Sequence, residues 1–142
     1  MRALGVDLGS KRIGIAVSDP SGTIASPLTV VHRSNSRRRD LDEIARIATD
    51  EDVDTIVVGL PLTMRGEVGQ AAEAAIAEAA RLATVVGVPV ETHDERLTTV
   101  TAERSMIDAG MRGHERRRVV DKVAAAVMLQ SWLDSRRARG ET

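Results

Sequence analysis

Four acidic residues stand where they could do hydrolytic chemistry. Asp7 closes the run Gly5-Val6-Asp7-Leu8-Gly9-Ser10-Lys11, Asp94 and Glu95 are adjacent, and Asp121 stands on an otherwise apolar helical stripe. One carboxylate from each of three such places, converging, would make a hard, oxygen-only site of the kind that takes Mg²⁺ or Mn²⁺. Such a site activates water and stabilises a departing oxyanion at a phosphodiester. There is no cysteine, and the three histidines, His32, His93 and His114, are far apart, so neither a thiolate site nor a paired-histidine zinc site is expected. Each histidine reads more simply as structural or exposed.

Each acid also has a plainer role. Asp7 could shape the turn after its strand through its own backbone hydrogen bonds. Asp121 could pair with Arg117 or Arg118. Against that, Asp121, Ala125, Met128 and Trp132 lie four, three and four residues apart, on one face of a helix. A carboxylate on a buried stripe is costly unless paired or metal-bound. In a strand Asp94 and Glu95 point to opposite faces. Glu95 shares the parity of Glu91 and His93, while Asp94 shares that of Val90 and Thr92, which read as the core side. Glu95 is therefore favoured for the site, with Asp94 as its support or as a helix cap and the nearest alternative.

The elements that must position these residues follow from the hydrophobic pattern. Ala3, Gly5, Asp7 and Gly9 share one small, open face of a first strand, where a helix or a ligand can approach closely. Lys11 to Ser18 alternates as a second strand. Asp19-Pro20-Ser21-Gly22 is a turn, and a third strand spans about Ile24 to Val31. Strands joined by such short turns are largely antiparallel. Helical spacing then runs from a polar cap at Ser36 to about Asp52. Thr55 to Gly59 is continuously apolar, as in a buried parallel strand. A loop follows from Leu60 to Gly69, then an alanine-rich helix over Ala71 to Val86 and a strand over Val88 to His93. A short helix is expected over Thr98 to Ala109 and a long one over Glu115 to Ala138. The fold class is α/β, with a mixed five-stranded sheet, three antiparallel strands then two parallel ones, flanked by helices. Asp7, the Gly59 to Gly69 loop and Asp94-Glu95 all fall at the strand edge where open α/β sheets place their sites.

Composition bounds the rest. The chain has 142 residues, enough for one domain over 1–138 with a short disordered tail at 139–142. Trp132 is the sole aromatic residue, which excludes a stacking platform for single strands, so nucleic acid would be held by its backbone. Net charge is −1, but the arginines are clustered, at Arg37 to Arg39, Arg116 to Arg118 and Arg136, Arg137 and Arg139. Substrate phosphates are expected on Lys11, Arg12, Arg65, Arg96 and Arg116, Arg117 and Arg118. For any one cluster, a merely solvated surface is the plainer reading. With no leader pattern and no long apolar run, a soluble, cytoplasmic protein without membrane contact is expected.

Read together, Gly5-Val6-Asp7-Leu8-Gly9-Ser10-Lys11-Arg12-Ile13-Gly14, Val58-Gly59-Leu60-Pro61, Asp94-Glu95-Arg96-Leu97-Thr98-Thr99 and Val120-Asp121-Lys122-Val123-Ala124-Ala125 resemble the YqgF/RuvX family, in that order. The likeness runs from Leu4 to Leu133. The first motif is shared with sugar kinases and actin-like ATPases; the Asp94 to Thr99 run with Asp121 is far more specific. The resemblance implies an RNase H-like fold related to the RuvC resolvases. It also implies a metal-dependent nuclease acting on the 5′ end of pre-16S rRNA, in which Asp7, Glu95 and Asp121 match the acidic residues and would hold Mg²⁺ or Mn²⁺. Members have also been called Holliday junction resolvases, an activity that needs a symmetric dimer. Pre-rRNA and branched DNA are thus both open as partners, and a monomer or weak homodimer is expected. An actin-ATPase-like nucleotide switch would need a duplicated domain for which 142 residues leave no place.

Overall fold

The structure is a computed structural model that describes residues 1–95 and 113–140, with the side chains of 113–119 outside that description. Its elements are β1 (Ala3–Leu8), β2 (Arg12–Ser18), β3 (Ala25–His32), α1 (Arg37–Asp50), β4 (Thr55–Leu60), α2 (Gln70–Val85), β5 (Val90–Asp94) and α3 (Gly113–Ala138). The helix expected over Thr98 to Ala109 lies outside the described residues.

The strands form one sheet in the order β3-β2-β1-β4-β5. β1 pairs with β2 and β2 with β3 antiparallel, while β4 joins β1 and β5 joins β4 in parallel. This is the mixed arrangement that the turn lengths and the apolar Thr55 to Gly59 run imply. Pro27 falls on the edge strand β3, where a missing N–H costs the ladder least. The helix starts and stops have local causes. Ser36 caps α1, its hydroxyl accepting from the Arg39 N–H, and α2 ends before Gly87 and Pro89.

Alternation along the strands sorts the core into two layers. Leu4, Val6, Ile13, Ile15, Ile56 and Val58 pack against Leu41, Ile44 and Ile47 of α1 and Ala79 and Leu82 of α2. On the opposite face Ala3, Ala16 and Val57 meet Ala125, Met128, Leu129, Trp132 and Leu133 of α3. The strand residues on the α3 face are small, so α3 lies close against the sheet: a Cβ built on Gly5 would stand 2.9 Å from the Leu129 Cβ. The open face of β1 is thus filled by a helix along most of its length. It opens at the C-terminal end, where Asp7 stands.

Candidate active site

Asp7 has the parity of Ala3 and Gly5, so its carboxylate stands on the α3 face, at the sheet edge where β1 and β4 end. Two close approaches bring other acids to it. Asp7 pairs across β2 with Gly14, and a Cβ on Gly14 would lie 1.9 Å from the Asp121 carbonyl oxygen. Only hydrogen at that position lets the backbone of α3 rest on β2 and set Asp121 beside Asp7. On the other side Val58 pairs with Val6, so Gly59 comes level with Asp7. A Cβ on Gly59 would lie 2.2 Å from Glu95 Oε2. The Glu95 N–H donates to the Leu60 carbonyl at 3.2 Å, just beyond β5, and its side chain lies back over Gly59.

The parity argument for Glu95 agrees with its neighbours on β5. Trp132 Nε1 of α3 donates to Glu91 at 2.8 Å, and the His93 ring meets the Ser131 hydroxyl at 3.0 Å, so both face α3. Val90 packs in the opposite layer. Glu95 continues the first series and meets Asp7 in a side-chain hydrogen bond.

The electrostatics are those of acids crowded together. Burial first, then the charge of Asp121, pushes Asp7 up to about 6, against a lowering hydrogen bond from Glu95. Glu95 is pushed up to about 8 by burial, then by the charge of Asp7, the hydrogen bond to it and the charge of Asp94. Burial and mutual repulsion thus favour a proton shared between the two carboxyls, with Glu95 the partner raised further. Asp121 takes another partner. Arg12 Nε donates to its carboxylate, with both side chains about a quarter exposed. Arg12 is not a partner the sequence suggested for it, and the side chains of Arg117 and Arg118 lie outside the described residues.

The donor set fits a hard divalent cation in kind, since every group is an oxygen and two acids are held together with charge to spare. In geometry the fit is two-thirds made: Asp7 and Glu95 touch, while Asp121 is turned onto Arg12. Among the described residues no three acidic or histidine side chains are gathered closely enough to hold an ion. Of the cations expected to meet substrate, Lys11 and Arg65 are exposed and Arg12 is engaged by Asp121. Arg96 and the side chains of Arg116, Arg117 and Arg118 lie outside the described residues. Trp132 is buried and has Arg136 over its ring at 4.8 Å, so it offers no face for a base. Sequence reasoning missed the roles of Gly14 and Gly59 and the Arg12–Asp121 pair. The glycines left a signal, a small residue on each of two strands flanking Asp7; the ion pair, joining residues 109 apart, left none.

A mixed five-stranded sheet in this order, with acids at the C-terminal edge of β1, defines an RNase H-like fold. The solved structure of T. thermophilus RuvC in complex with a Holliday junction substrate superposes with a TM-score of 0.58 at 18% identity, covering 96% of each chain. The chain belongs to the RuvX family, whose sequence model, described as a Holliday junction resolvase, matches residues 1–135. Relatives named "Putative pre-16S rRNA nuclease" include one from Mycobacterium sp. (strain KMS), 46% identical over 96% of this chain and 82% of its own length. Another, from Clostridium novyi (strain NT), is 44% identical over 95% and 99%.

Proposed function

We propose that the chain is a metal-dependent nuclease that hydrolyses phosphodiester bonds in structured RNA, processing the 5′ end of pre-16S rRNA in the cytoplasm as one domain over 1–138. The observation that carries this is the Asp7–Glu95 contact with Asp121 beside it, an accumulation of acid that serves no packing purpose. Asp7, Glu95 and Asp121 would hold Mg²⁺ or Mn²⁺, which supplies a more acidic water and charge for the departing oxygen. Glu95 must give up the proton it shares with Asp7 before both can act as ligands. Asp121 must leave Arg12, whose guanidinium then becomes available to a phosphate. Exposed Lys11 and Arg65 flank the same edge and suit backbone phosphates. The names carried by the relatives favour RNA.

A second reading, junction resolution by a two-fold pair of chains, is favoured by the description of the family and by the likeness to RuvC. Cleavage of a precursor 16S fragment and of a four-way DNA junction, side by side with Mn²⁺ or with chelator, separates the two. The proposal expects the RNA to be cut near its 5′ end only with metal, and the junction to survive. A cut junction and intact RNA would establish the second reading, and cleavage that persists in chelator would remove the metal.

A further inference from the structure

The arginines at the start of α1 stand apart from the other cation of that helix. Arg37, Arg38 and Arg39 occupy the first turn, where the helix dipole disfavours cations. All three are exposed, and among the described residues one acid approaches them, Asp42, at 4.0 Å from Arg38. The acid of that turn, Asp40, does not offset them. It is buried, accepts from the Ser34 N–H at 2.9 Å and hydroxyl at 2.7 Å, and faces Arg33. Arg46, farther along the same helix, shows the contrast, since it is bonded to both Glu43 and Asp50.

Their place in the fold is informative. His32 pairs with Arg12, so β3 ends at the same sheet edge as Asp7, and Arg33 Nε donates to the Gly9 carbonyl at 3.0 Å. α1 therefore begins across from the loop that follows Asp7. A cleft of about 580 Å³ lies there, with Gly9, Ser10 and Arg37 among its walls. Inside it the partly buried Arg33 is bonded to buried Glu78 and lies 3.9 Å from buried Asp40, so the positive charge without such partners is on the rim. The carboxylates are on the α3 face and the arginines on the α1 and α2 face, with exposed Ser10 and Lys11 on the crest between.

We propose that Arg37, Arg38 and Arg39 form a second phosphate-contacting surface of this site, which holds a duplex arm of the RNA while the strand to be cut lies over the carboxylates. This rests on the nuclease reading above. A strand reaching only the carboxylates has no need of the far face. A duplex presents two backbones and can straddle the edge, recognised by shape and phosphate without base contacts.

The test is binding by fluorescence anisotropy over a salt series, with Asp7→Asn in every protein to prevent cleavage. The probes are an RNA duplex with a single-stranded overhang and a single strand of about six nucleotides. The full chain carrying Arg37→Ala, Arg38→Ala and Arg39→Ala is expected to bind the duplex at least about tenfold more weakly, with the salt slope lower by about two to three. Its binding of the short strand is expected to be unchanged. Arg38→Glu, a change the helix dipole favours, is expected to weaken duplex binding without lowering Tm. Equal losses on both probes, or an unchanged salt slope, would overturn the proposal while leaving the nuclease reading intact. If the parent protein binds neither probe, both fall.

Discussion

Asp19 and Asp7 are both aspartates at strand ends, at opposite edges of one sheet, and the fold treats them in opposite ways. Asp19, in the turn after β2, accepts from the Thr23 N–H at 2.7 Å and the Ile24 N–H at 2.9 Å, and from the Ser21 hydroxyl. The Ile24 N–H first, then the Ser21 hydroxyl and the Thr23 N–H, hold it down at about 2. Asp7 is raised to about 6, because its surroundings are buried and acidic. A carboxylate supplied with donors is part of the architecture. One left short of donors and crowded by other acids lowers the stability of the empty fold, and that pattern marks a site for something positive.

The largest expected effect breaks the comparison cleanly. Asp7→Asn should reduce cleavage of precursor rRNA by about 10³-fold or more while the protein stays folded. Asp19→Ala should do the reverse, leaving cleavage within a few-fold of wild type and lowering Tm. Glu95→Gln and Asp121→Asn should follow Asp7→Asn. If Asp94→Asn is inactive and Glu95→Gln active, their roles are exchanged.

The two glycines sharpen the contrast between positioning and packing. In Gly59→Ala the new methyl meets the mobile end of Glu95, so the expected result is roughly 10²-fold lower activity with Tm nearly unchanged. In Gly14→Ala the methyl meets the Asp121 backbone, and α3 must shift as a whole. A cost of about 1–3 kcal/mol is expected, seen as a Tm lower by roughly 2–4 °C per kcal/mol.

Much of this was legible beforehand. Turn lengths implied the antiparallel strands, the apolar Thr55 to Gly59 run implied the buried parallel one, and strand parity put Glu95 on the face of Asp7, which it meets. The stripe of Ala125, Met128 and Trp132 is indeed buried, but Asp121 at its upper end is only partly so. The partner of Asp121 was not legible, because Arg12 is brought to it by the seating of α3 on Gly14, a packing detail that no periodicity encodes. The empty face of β1 was legible as empty; that a helix fills it as far as Gly5 depends on the side chains of α3.

A smaller effect separates the two aspartates by pH. Asp19 has a folded value below its ordinary 3.8, so its contribution is present above that and lost as pH falls towards about 2. Asp7 and Glu95 have folded values above their ordinary 3.8 and 4.5, so the metal-free fold is favoured while they are protonated. Its stability should decline as pH rises from about 4 to about 8, by on the order of 1 kcal/mol or more. Thermal melts in chelator across that range check the sign, and Asp7→Asn should flatten the decline. Smallest of all, Arg12→Ala removes a partly exposed ion pair of about 0–1 kcal/mol. It should barely change Tm in chelator and should enlarge the Tm rise given by Mn²⁺, since Asp121 is then released.

Calorimetric titration of Mn²⁺ into the wild type, Asp7→Asn and Asp19→Asn tests the contrast most directly. The account predicts that the wild type and Asp19→Asn bind Mn²⁺ alike, each releasing protons at neutral pH as Glu95 is freed of its own, and that Asp7→Asn binds at least about tenfold more weakly. Equal Mn²⁺ binding by the wild type and Asp7→Asn would contradict it.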